Sequence, residues 1–89
     1  MQANFLLGAL AITPQAQLVL KRIPLDLIAR HAVNEHGLIT RREREANALG
    51  MHTLGPIVSR YRVNPLNPKA GYVVIRTTEC WTNTLVEIE

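Results

Sequence analysis

The feature that most constrains this chain is a change of hydrophobic period at Ile57. Upstream, Leu25, Ile28, Ala29 and Ala32 recur at three-to-four spacing, the stripe of an amphipathic helix. Downstream, Ile57, Ser59, Tyr61 and Val63 alternate with Val58, Arg60 and Arg62, the pattern of a strand with one face inward. With 89 residues there is room for one domain over residues 1–89. A chain of this size buries only about 60–65% of its unfolded surface, so the two halves must share one core. The expected fold is α+β: an N-terminal strand, two or three short helices, then a three-strand antiparallel meander forming one small sheet.

Local signals set the elements. Residues 5–12 are apolar or small and read as the first strand, expected to be buried in the sheet. Thr13-Pro14 opens a helix running to about Arg22, with Thr as cap and Pro at the first helical position. Ile23-Pro24 breaks it and starts a second helix ending near Asn34, with Gly37 as its left-handed closing residue. Thr40-Arg41-Arg42-Glu43 matches a capping box, and the helix it opens runs to about Leu49 with Ala46 and Leu49 inward. After the strand from Ile57, a turn-rich stretch (residues 64–71) leads to a second strand at residues 72–78. A turn at residues 79–83 leads to a third at residues 84–88. The inner face is expected to carry Ile57, Tyr61, Val73 and Ile75.

Residues 1–20 carry no charged side chain. A signal peptide wants a basic start, and a membrane span needs about 20 apolar residues. The apolar run stops at Thr13-Pro14, so a cytoplasmic protein without a membrane partner is expected. Elsewhere charge is uneven. Residues 57–76 hold Arg60, Arg62, Lys69 and Arg76 with no acid, and residues 77–89 hold Glu79, Glu87 and Glu89 with no base. A polar molecule with a basic sheet face is expected.

Several short signals follow one another in a distinctive order. They are Leu7-Gly8, Ala11-Ile12-Thr13-Pro14 with Ala16, Leu27 before the pair Arg30-His31, Gly37, Asn47, Ile57-Val58-Ser59 with Tyr61, Thr78-Glu79, and a closing Thr84-Leu85-Val86. Over residues 7–88 this order resembles a family of small bacterial proteins carried on plasmids, phages and integrated elements. Members are often labelled plasmid-related, and some are labelled type I restriction modification subunit. The second label is not expected to fit, because 89 residues cannot hold a nucleotide-dependent methyltransferase domain. The chain departs from the family twice. Asn34-Glu35-His36-Gly37 stands where the family has Gly-Asp-Trp-Gly, and Cys80-Trp81 follows Thr78-Glu79 where the family has Ala-Asp-Arg. No catalytic residue is carried over from the resemblance.

The candidate partner-binding residues are Arg60, Arg62, Arg76, Lys69 and Trp81. Guanidinium forks suit phosphates and carboxylates, and a tryptophan at a hairpin tip is a fair interface anchor. Tyr61 has inward parity, leaving Tyr72 as the aromatic that can flank the basic patch. Arg41, Arg42 and Arg44 open the third helix against its macrodipole, with Glu43 and Glu45 to neutralise them. His31, His36, His52 and Cys80 lack the tight spacing of a structural zinc site, so no metal and no cofactor is expected. One cysteine excludes an internal disulfide. No phosphate-cradling glycine loop or nucleophile motif is present, and no enzyme is expected.

Two functions of different classes follow as expectations. The first is a non-catalytic mobile-element accessory protein that inhibits or modulates a host defence complex, of the anti-CRISPR or anti-restriction type, by stoichiometric binding. The second is a small basic nucleic-acid-binding module for plasmid or phage maintenance. Either serves as a monomer or a homodimer.

Overall fold

The structure, a computed structural model, describes residues 3–89. The chain order is β1 (Ala9–Ile12), α1 (Pro14–Leu20), α2 (Leu25–Ala32), α3 (Arg41–Thr53), β2 (Ile57–Arg62), β3 (Tyr72–Thr77) and β4 (Asn83–Ile88). Short 3-10 turns at Pro68–Ala70 and Glu79–Trp81 join the last three strands. The fold is α+β. The four strands form one sheet in the order β1-β4-β3-β2, with β2–β3 and β3–β4 antiparallel and β1 parallel to β4.

The alternation from Ile57 decides the core. Ile57, Tyr61, Val73, Ile75 and Val86 face inward and are buried, with Ala16 of α1 and Ile28 of α2 packed on the same side. Each fully buried Val or Ile contributes roughly 1.5–3 kcal/mol of transfer free energy, so this face holds the helices on the sheet.

The caps form as their residues dictate. The Thr13 side chain accepts from the Ala16 amide, and Thr40 and Glu43 make the reciprocal capping box. Several boundaries depart from the sequence reading. The first strand begins at Ala9, because Gly8 takes a left-handed φ of +66° and breaks the extended run. The second helix stops at Ala32, and Asn34 rather than Gly37 adopts the left-handed turn that follows it. Gly37 serves another purpose: its backbone lies against β2, where a Cβ would stand 2.3 Å from the Arg60 carbonyl oxygen. The third helix passes through Gly50 to Thr53, and it turns Asn47 and Gly50 inward while Ala46 and Leu49 face solvent. Pro56 and Ile57 press against Gly50, leaving no space there for a side chain. The uncharged start does join the sheet, but at its edge: Ala9, Leu10 and Ala11 are exposed rather than buried. Among the described residues, no helix is long and apolar enough to cross a membrane.

Candidate functional site

Strand pairing redistributes the expected basic patch. Val58, Arg60 and Arg62 do share the outer face, and the β2–β3 register sets Arg76 opposite Val58. The antiparallel return of β4 then lays the acidic tail across the same face, with Val74 opposite Glu87 and Arg76 opposite Leu85. Arg76 Nε donates to the Glu87 carboxylate. Arg60 is held from two sides. Its Nη1 and Nη2 donate to the two Glu43 oxygens at 2.7 and 2.9 Å, and its Nε and Nη2 donate to Glu89 at 3.0 and 3.3 Å. These bonds pull the Glu43 carboxyl down to about 2, mainly through the Arg60 hydrogen bond. As a correction to the charge map, Arg60 is ion-paired with Glu43 and Glu89, and Arg76 with Glu87. Two of the four bases of the basic segment are thus neutralised by the acidic tail.

Arg62 and Lys69 remain. Both are exposed, and among the described residues no carboxylate lies within ion-pair distance of either. Arg62 lies directly across from Tyr72, so an aromatic ring does flank it. Leu66, at the tip of the same β2–β3 connection, is 94% exposed. Trp81 departs from the expected anchor geometry. Its Nε1 donates to the Gly55 carbonyl at 2.9 Å, and its ring packs on Phe5 with centroids 5.5 Å apart. The indole lies against Phe5 of the N-terminal segment, and the Gly55 carbonyl between α3 and β2 satisfies its only polar group. Cys80 is exposed at the turn, with a left-handed φ of 63°.

The inner face also holds a buried polar chain, which the residue spacings alone did not reveal. His31 is fully buried; its Nδ1 lies 2.6 Å from Ser59 Oγ and its Nε2 lies 2.9 Å from Thr77 Oγ1. Ser59 Oγ also meets His36 Nδ1 at 2.7 Å, Thr77 Oγ1 meets Thr84 Oγ1 at 2.8 Å, and Thr84 bonds the Leu7 carbonyl at 2.6 Å. A carbonyl only accepts, so the chain has one direction. Thr84 donates to Leu7, Thr77 donates to Thr84, and His31 Nε2–H donates to Thr77. Neutral His31 then accepts the Ser59 proton at Nδ1, and His36 Nδ1–H donates to Ser59. Burial, with a smaller repulsion from His36, lowers the His31 pKa to about 3, which keeps this ring neutral. Burial also lowers that of His36. The signal was available: Ser59 and Thr77 occupy inward parity among Ile57, Tyr61, Val73 and Ile75.

A serine 2.6 Å from a histidine has the spacing of an activated nucleophile. Here both groups are sealed. Ser59 is fully buried, and the Phe5 ring stands edge-on to His31 with centroids 5.1 Å apart. At its His36 end the chain borders a cleft of about 230 Å³ that Asn34, Arg44 and Met51 also line. Among the described residues no cluster of His, Cys, Asp and Glu could hold a metal ion. The chain joins β2, β3, β4, α2 and the N-terminal segment through satisfied hydrogen bonds. No protein family, curated protein or solved structure matches the chain.

Proposed function

We propose that this protein works by stoichiometric binding, as a mobile-element accessory protein that inhibits or modulates a host defence complex of the anti-CRISPR or anti-restriction type. The observation that carries the binding half of the reading is the tip of the β2–β3 connection. There Arg62 and Lys69, without an ion-pair partner among the described residues, stand on either side of Leu66 in the sequence, and Leu66 is 94% exposed. An apolar anchor between two free cations fits an acidic protein surface or the phosphate backbone of a nucleoprotein complex. The mobile-element half rests on the resemblance over residues 7–88.

The test is a pull-down from the natural host with tagged protein, followed by target-cleavage assays on the captured complex. Blocking of cleavage, lost in Leu66→Asp and in an Arg62→Glu, Lys69→Glu double variant, supports the reading. Failure to bind or block any CRISPR or restriction complex of that host removes it. The nucleic-acid-binding alternative is favoured by Arg62 lying opposite Tyr72, since an aromatic beside a cation suits a stacked base. It predicts an electrophoretic shift at about 50 mM salt that fades steeply as salt rises.

A further inference from the structure

The two edges of the sheet are treated in opposite ways. On β2 the outward backbone groups of Val58 and Arg60 are covered. The Asn47 side chain acts as a false strand: its Nδ2 donates to the Val58 carbonyl at 2.8 Å and its Oδ1 accepts from the Val58 amide at 2.9 Å. The Arg60 amide donates to the His36 carbonyl, and the Arg60 carbonyl accepts from Leu38. On β1 nothing comparable is present among the described residues. Ala9 and Thr13 donate inward to Thr82 and Val86 of β4 or its approach, so by alternation Leu10 and Ile12 direct their backbone groups away from the sheet. Ala9, Leu10 and Ala11 are exposed. β1 itself contains no charged side chain, proline or bulge, although those are the usual means of blunting an edge.

We propose that β1 is a self-association edge, which pairs antiparallel with β1 of a second copy about a two-fold axis through Ala11. The register argues for a copy of this chain. Centred on Ala11, Leu10 of each copy faces Ile12 of the other, and their outward amides and carbonyls close four hydrogen bonds. A centre at Ile12 would bring Pro14, which has no amide, opposite Leu10. A centre at Leu10 would bring in Gly8, whose left-handed backbone has left the strand. The axial pair is the narrow, non-hydrogen-bonded kind, with Cα atoms about 4.5 Å apart, where alanine fits well. Leu10 and Ile12 then meet across the seam on the helix-bearing face, the face shared by Thr84 and Val86. β1 itself brings no charge to the seam, since residues 1–20 hold no charged side chain; the nearest cations are Lys21 and Arg22, which border a cleft with Ile12 at the end of the strand. The result is a continuous eight-stranded sheet.

A four-residue seam is smaller than the ~800 Å² per partner of a standard interface, so association in roughly the micromolar-to-millimolar range is expected. Sedimentation velocity across concentration tests it, with Ala11→Lys and Ala11→Glu as probes. Ala11 is exposed, so both variants keep the fold, which far-ultraviolet circular dichroism checks. Two like charges at the axis weaken dimerisation about tenfold or more, and an equimolar mixture of the two variants restores it as a heterodimer. A wild type that stays monomeric up to about 1 mM overturns the proposal. So does a dimer that Ala11→Lys leaves intact, or a mixture that fails to re-associate. A monomer that instead takes up a strand of another protein on β1 overturns it equally. The outcome is independent of the β2–β3 tip, at the opposite edge of the sheet.

Discussion

His31 sets how stability depends on pH. Its side chain is fully buried and holds one acceptor and one donor bond, and its pKa falls to about 3 from 6.5. In the unfolded chain the ring protonates near its ordinary value, while in the folded protein it stays neutral far below that. The unfolded state therefore binds more protons between those two values, and the unfolding free energy falls as pH drops through that window. The full contribution is present above pH ~6.5, and it is lost at roughly 1.4 kcal/mol per pH unit, about 5 kcal/mol in all by pH ~3. Glu43 has its own, lower window. Its carboxyl is depressed to about 2 from 4.5, so its contribution is present above about 4.5 and is lost as pH falls toward 2. Between pH ~6.5 and ~4.5 the histidines act alone, and about 3 kcal/mol is expected to disappear there.

The assay is urea unfolding followed by tryptophan fluorescence at half-unit pH steps from 7.5 to 4.5. His31→Gln keeps a donor and an acceptor but does not titrate. It should lose about 1–3 kcal/mol at pH 7 through imperfect bonding, and its profile should be flatter. His36 is also shifted downward by burial and adds slope of the same sign, so His36→Gln separates the two. A wild-type profile flat over this window would refute the reasoning. So would a slope that survives in the His31→Gln, His36→Gln double variant.

The remaining expectations concern the same network and its surroundings. Because the Leu7 carbonyl orders the chain of hydroxyls, nitrogen NMR should find neutral His31 as the Nε2–H tautomer and His36 as Nδ1–H; the opposite tautomer at His31 would break the ordering. Asn47→Ala leaves the Val58 amide and carbonyl unpaired beside α3, and it should cost about 2 kcal/mol in urea unfolding while making the protein more prone to aggregate through β2. Gly37→Ala combines a φ of +70° with a Cβ 2.3 Å from the Arg60 carbonyl; a loss of about 2–3 kcal/mol is expected, measurable as a fall in the thermal midpoint. Unchanged midpoints for both variants would mean that the 36–38 segment and α3 do not hold the β2 edge.

What the sequence made legible was local. Thr40 and Glu43 sit three residues apart, so their capping box could be read without knowing anything distant. The alternation from Ile57 named the inward side chains, because strand parity is a property of neighbours alone. Pairing is a different kind of fact. Arg76 and Glu87 are eleven residues apart along the chain yet bonded across the hairpin, and only the turn at Glu79–Trp81 fixes that register. Charge read along the chain thus gave a basic segment and an acidic tail, whereas charge read across the sheet gives ion pairs.

The inward polar residues carry the same lesson further. Ser59 and Thr77 at core parity meant that some polar partner had to come from another element, since a buried hydroxyl without one costs about 1–3 kcal/mol. His31 is that partner, supplied from α2, and it accounts for why a histidine replaces an apolar residue on the buried helix stripe. Asn47 fits the same argument at the edge of the sheet. A polar residue turned inward on α3 meets two backbone groups that a neighbouring strand would otherwise have met. Each polar group found inside this small core is thus matched to an unpaired backbone or hydroxyl group opposite it. β1 is where the matching stops. Among the described residues no hydrogen-bond partner meets its outward amides and carbonyls, and the strand itself carries no charge to deter a second strand.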